Sequence, residues 1–225
     1  MHSNALINRS CRTLLAAAGL AICSVGTYFQ LEASIGLAPW NALNLGISLT
    51  FPLTYGQATA IVSVLVLLAD YRMHERIGIG TLLDAFLVGW GVDILTGFGF
   101  SFPKDHLPTQ ILLLLAGMAV IAVGQAVYMR AGLGCGPRDA LVVALGKRSS
   151  RFSVGTVNLI VFSLVLFLSV LFHSPIGIGT LLGTFCTGFV MDIVFRLLRF
   201  DPCMIQHEDL LETLRAITNR SITKN

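Results

Sequence analysis

Residues 77–95 read IGIGTLLDAFLVGWGVDIL, and residues 176–194 read IGIGTLLGTFCTGFVMDIV. Two apolar segments this alike, offset by 99 positions and each with an aspartate near its end, point to one structural unit used twice. The correspondence extends outward. At an offset of 98, GLAICSVG (19–26) falls on GMAVIAVG (117–124), and IGLAPWNAL (35–43) falls on LGCGPRDAL (133–141). At 99, YGQATAIV (55–62) meets VGTVNLIV (154–161). Tandem membrane units of this kind pack about a pseudo-two-fold axis.

Composition says which solvent the unit faces. Hydrophobic residues make up 55% of the 225 and charged residues 12%. Mean hydropathy is +0.79. A soluble domain carries about 25% charged residues to cover its surface, so the natural solvent here is a lipid bilayer. The net charge of +3 comes without a basic stripe interleaved with aromatics, so nucleic acid is not a partner. The five cysteines form no C-x-x-C pair and read as small apolar residues. The five histidines make no metal-ligand motif, so no metal and no cofactor is expected. Arg9, Arg12 and the apolar run after them resemble a signal peptide. Residues 19–43 have an internal counterpart, however, so the segment reads as a retained span.

Each half follows one plan. A span-length apolar run comes first (13–31 and 110–129), since crossing a bilayer takes about 20 apolar residues. A Gly/Pro break follows: Gly36 to Pro39, and Gly132, Gly134, Gly136 and Pro137. A short helix comes next (40–49 and 138–146), because Pro suits the first helical turn. A second span (51–69 and 152–172), a polar link and a third span (77–97 and 176–195) complete the unit. The expected fold is an all-α polytopic membrane protein with two homologous halves. Each half has three transmembrane helices and one short Pro/Gly-preceded helix. The boundaries are 1–104 for the first repeat with its cytoplasmic N-terminus, 105–200 for the second repeat and 201–225 for a cytoplasmic amphipathic tail. In that tail Leu210, Leu211, Leu214 and Ile217 share one helical face.

Three spans per half would turn the second half upside down relative to the first. Arg and Lys concentrate in cytoplasmic loops. With the N-terminus inside, 14 of the 15 basic residues lie inside and only Lys104 lies outside. If the short helices cross as well, giving eight spans and parallel repeats, only 11 lie inside. The inverted six-span arrangement is therefore expected, with both termini cytoplasmic. Broken helices entering from opposite faces are the layout of many secondary transporters.

A few polar residues interrupt the apolar segments. Asp93 and Asp192 occupy matching places; they read either as a symmetric proton or cation pair or as caps and ion-pair partners near the interface. Asp84 lies deeper in its span, where a charge costs at least ~2.5 kcal/mol unless partnered or hydrated, and its counterpart is Gly183. It reads as a pathway residue or as a structural acid. Asn41 matches Asp139, and Trp40 matches Arg138, all in the first turn of the short helices. Helix capping accounts for Asn41 and Asp139. Arg138 at a helix start opposes the dipole, so it faces an anion or Asp139. The glycines of the two GIG motifs read as close-packing positions.

The GLAPWNALNLGIS and GTVNLIV stretches and the two GIGTLL…D segments resemble the bacterial YczE group of integral membrane proteins, within the broader YyaS/YitT set. The resemblance covers roughly residues 13–198. It departs at GCGPRD, where Arg138 stands in place of Trp. It implies a multi-pass protein of the bacterial cytoplasmic membrane, for which transport is the usual conjecture.

No nucleophile–base pair or phosphate loop appears, so an enzyme is not expected. The leading expectation is a transporter of a small molecule or ion. The alternative is a non-transporting accessory protein that stabilises a partner complex. A homo-oligomer stays open. A polar cavity reached by Asp84 and both short-helix starts would favour transport, and a dry bundle would favour the accessory role.

Overall fold

The computed structural model describes residues 2–75, 78–102, 106–134, 136–148 and 154–200. These form eight α-helices and no strand: α1 (His2–Ala33), α2 (Pro39–Thr50), α3 (Tyr55–Arg72), α4 (Ile79–Gly97), α5 (Leu107–Arg130), α6 (Pro137–Arg148), α7 (Val154–Leu171) and α8 (Ile178–Leu197). The all-α membrane fold is as the sequence indicates. The amphipathic tail at 201–225 lies outside the described residues, as do Arg76, Lys104 and Arg151.

Local chemistry sets the helix starts. Pro39 and Pro137 open the short helices, where a missing N–H costs nothing. Thr54 caps α3 through a reciprocal box with Gln57. In both GIGT motifs the threonine reaches back to the backbone N–H of the first glycine, Thr81 to Gly78 and Thr180 to Gly177. The breaks turn on glycine: Gly36 has φ 104° and Gly134 φ 133°, a region that L side chains rarely enter.

Helices α1 and α5 form the central pair and run antiparallel. A methyl group on Gly19 would lie 2.7 Å from the Gly124 carbonyl oxygen, and one on Gly26 would lie 2.6 Å from that of Gly117. Small residues at this spacing let two backbones touch. Helix α4 packs on α1, and α8 on α5. The short helices cross over: α2 packs on α7 and α6 on α3. One hydrogen bond ties each GIG motif to the opposite break, Gly80 N–H to Leu133 O at 2.9 Å and Gly179 N–H to Ile35 O at 2.8 Å. The bundle thus has a first-break end, with Ile35 and the start of α8, and a second-break end, with Leu133 and the start of α4.

The short helices do not cross the bundle. Twelve residues rise about 18 Å, against a hydrocarbon core of about 30 Å. The C-terminal end of α2 meets the end of α7 at the first-break end, through Thr50 Oγ1 donating to Phe172 O at 2.9 Å. The C-terminal end of α6 meets the end of α3 at the second-break end, where Lys147 pairs with Glu75 at 2.9 Å. The two helix starts therefore point at each other in mid-bundle. Helix α2 doubles back at 120° to α3.

Four helices are long and apolar enough to span on their own: Ser10–Ala33 within α1, then α4, α5 and α8. The bent α2–α3 pair makes a fifth candidate, and the apolar part of α7, Gly155–Leu171, is shorter. Length and composition thus mark four or five spans where the sequence led us to expect six. The outer surface carries many exposed large apolar side chains, among them Leu65, Leu112, Leu164 and Phe185. Such a surface belongs in lipid.

Candidate functional site

The meeting point of the two short-helix starts borders a cavity of about 620 Å³. Its wall draws on both halves. From α1 come Thr27 and Gln30, and from α3 come Tyr55, Thr59 and Ser63. From α5 and α7 come Gln125 and Asn158. Trp40 and Asn41 enter from the start of α2, Arg138 and Asp139 from the start of α6, and Asp84 from α4. Asp84 and both short-helix starts thus border one cavity, whose wall is otherwise largely apolar.

Arg138 bridges the two starts. Its Nη1 donates to Asn41 Oδ1 at 3.4 Å, and its guanidinium carbon stands 5.5 Å from the Trp40 ring centroid. Arginine over an indole face is a favourable cation–π pair. Asn41 Nδ2 in turn donates to Gln30 Oε1 at 3.2 Å. Two sequence expectations change here. Asn41 holds Arg138 and Gln30 rather than capping α2, whose cap residue Ala38 makes no side-chain bond. Arg138, counted among the cytoplasmic cations, sits inside the bundle on the cavity wall.

Asp84 and Asp139 gather at the other helix start. A methyl group on Gly136 would lie 3.2 Å from Asp84 Oδ2 and 3.5 Å from Asp139 Oδ2. Both carboxylates therefore face the first turn of α6, whose free N–H groups and positive dipole end favour them. The equivalent of Asp84, Gly183, lies against Ala38 at the start of α2. No ion pair within 4 Å joins Arg138 to either carboxylate among the described residues.

The other matched acids part company. Asp93 accepts from Thr54 Oγ1 at 2.5 Å and from the Gly56 N–H at 2.9 Å, so it clamps the start of α3 to the end of α4. Gly56 and Gly89 lie in backbone contact beside it. Asp192 is exposed. At its end of the molecule α7 and α8 make no comparable contact among the described residues: a methyl group on Gly188 would meet nothing within 4 Å there. Gly155, Gly188 and Met191 there belong to the cavity wall. Helices α3 and α4 are thus joined at the first-break end, and among the described residues α7 and α8 are not joined in the same way at the second.

A family model described as a family of unknown function, DUF6198, matches residues 10–196. The chain belongs to the DUF6198 family. It is 31% identical over 183 residues to the uncharacterized protein YyaS of Bacillus subtilis, covering 79% of this chain and 88% of that protein. It is also 31% identical over 177 residues to the uncharacterized membrane protein YczE of the same organism, covering 77% and 80%. A Haemophilus influenzae protein is 28% identical over 182 residues, covering 79% and 82%. No solved structure matches the chain. This DUF6198 member is accordingly a membrane protein of the YczE and YyaS kind, as its motifs indicate.

The sequence reading missed several cavity residues in this DUF6198 chain. Tyr55, Thr59 and Ser63 recur every four residues on one face of α3, and Thr27 and Gln30 share a face of α1. Polar side chains at helical spacing inside an apolar span were the available signal. Asp70 was also passed over. It is fully buried, and neither carboxyl oxygen has a hydrogen-bond partner among the described residues.

Proposed function

We propose that this protein is a transporter of the bacterial cytoplasmic membrane that moves a small molecule or ion by alternating access between two inverted halves. The observation that carries the reading is the contrast between the two ends of the cavity. At one end, Thr54, Gly56, Gly89 and Asp93 form a latch. At the other, the matching Gly155, Gly188 and Asp192 are exposed, and their fourth counterpart, Ser153, lies outside the described residues.

Inversion gives this contrast its meaning. The antiparallel α1–α5 contact supports it, because each glycine touches the counterpart of its neighbour: Gly19 meets Gly124, and Gly26 meets Gly117. The reciprocal Gly80–Leu133 and Gly179–Ile35 bonds behave the same way. Two such halves can exchange conformations at little cost, since each latch uses the same kinds of residue. Closing the second latch and opening the first would present the same cavity to the opposite side. This is rocking about a fixed site at the repeat interface. The distribution of Arg and Lys supports a first-break end on the outside, and on that reading the described state faces the cytoplasm. An accessory role predicts no such exchange.

The test is a single cysteine at Asn158, on the cavity wall, with the five native cysteines replaced. In oriented vesicles the alternating-access reading predicts modification by a membrane-impermeant thiol reagent from either face. Modification from one face only, in a protein that remains monodisperse, would leave the accessory reading in possession.

A further inference from the structure

We propose that the cavity binds a small amino-acid-like zwitterion, with its carboxylate at the α2 start and its ammonium at the α6 start. This inference rests on the transport reading and deepens it. Departures from the repeat carry it. Most of the fold is shared between the halves, but at the centre three matched pairs differ in charge: Trp40 against Arg138, Asn41 against Asp139, and Gly183 against Asp84. A symmetric cavity would present two equivalent helix starts. These substitutions make the starts unlike.

The α2 start is positive. Its cap residue, Ala38, offers no side-chain acceptor, and no acid stands in its first turn. Trp40 and Asn41 border the cavity at this start, and no side chain caps it, as at helix starts that bind anions. Arg138 reaches over from α6 and is held there by Asn41 and the Trp40 ring. A guanidinium has five N–H donors in a fixed fork suited to carboxylate. Asn41 is the one hydrogen-bond acceptor that Arg138 has among the described residues.

The α6 start is negative. Asp84 and Asp139 converge beside Gly136, and no cation pairs with them within 4 Å among the described residues. Two carboxylates outweigh the roughly half positive charge of one helix start. One guanidinium, two carboxylates and two helix starts sum to about zero. The cavity is therefore dipolar rather than charged. It matches a ligand with no net charge and two opposite ends, and its volume lies within the ~300–1,000 Å³ of small-molecule sites.

The experiment measures binding of a tritiated mixture of the protein L-amino acids to the purified full chain in nanodiscs. Saturable binding is expected, with unlabelled amino acids competing about tenfold better than their N-acetyl or carboxamide derivatives. Arg138→Gln should erase the preference for acid over carboxamide, and Asp84→Asn the preference for free over acetylated amine. Arg138→Lys should partly restore the first. Absence of saturable binding to monodisperse wild-type protein would overturn the proposal, as would equal competition by propionate or by propylamine. The position-158 labelling separates the two claims. Two-sided labelling without amino-acid binding removes the zwitterion and leaves transport standing. Amino-acid binding with one-sided labelling keeps the zwitterion site and removes transport.

Discussion

Gly179 and Gly80 occupy the same place in the two GIG motifs, yet their surroundings differ by a few tenths of an ångström. A methyl group at Gly179 would come 2.5 Å from the Gly36 carbonyl oxygen, a backbone atom that cannot swing aside. At Gly80 the nearest atoms, including one from the Tyr128 ring, stand at 3.1 Å. Overpacking of this kind costs about 1–3 kcal/mol when backbone must move. Gly179→Ala should therefore lower the melting temperature in detergent clearly more than Gly80→Ala. Equal losses would show that the two breaks are gripped alike. That these glycines matter for packing was legible from the repeated GIG. Which of the two is tighter was not, because it depends on the partner backbone across the bundle.

At the scale of elements, the proposed cycle gives Asp93 and Asp192 opposite roles. Asp93 holds α3 to α4 through Thr54 and Gly56, while Asp192 is exposed. A capping carboxylate contributes about 0.5–2 kcal/mol, enough to move a two-state population up to roughly tenfold or more. Asp93→Ala should loosen the first-break end and raise labelling of a cysteine at position 158 from outside. Asp192→Ala should lower outside labelling, because it weakens only the alternate, outward-open state. If both substitutions change labelling in the same direction, the two acids are not counterparts in one cycle. The sequence placed both aspartates at matching span ends, and it left open whether they cap or carry ions. It could not show that Asp93 is bonded to α3 while Asp192 is exposed, since matching residues stand at both places. The spans of α3 and α7 were legible as apolar runs but not in their bounds. Polar cavity residues in α3 and the 120° turn from α2 obscure the period there.

For the whole molecule, the all-α membrane character was legible in the composition and the apolar runs, and the short helices were legible in the Gly/Pro breaks that precede them. The cavity was less legible. Asp84 was singled out as a charge inside a span, and Trp40, Asn41, Arg138 and Asp139 as matched residues at the short-helix starts; all border it. Their pairing was not foreseen. Arg138 reaches Asn41 and Trp40 across the bundle, a contact between residues that no local pattern links. The central claim is that the halves exchange conformations around this cavity. Two matched pairs of spin labels test it: positions 57 and 94 across the first-break end, and their counterparts 156 and 193 across the second. Double electron–electron resonance should return two distance populations for each pair. They should be anticorrelated, with 57–94 short when 156–193 is long, and the reverse. One fixed distance for each pair, unchanged by Asp93→Ala or Asp192→Ala, would contradict the account.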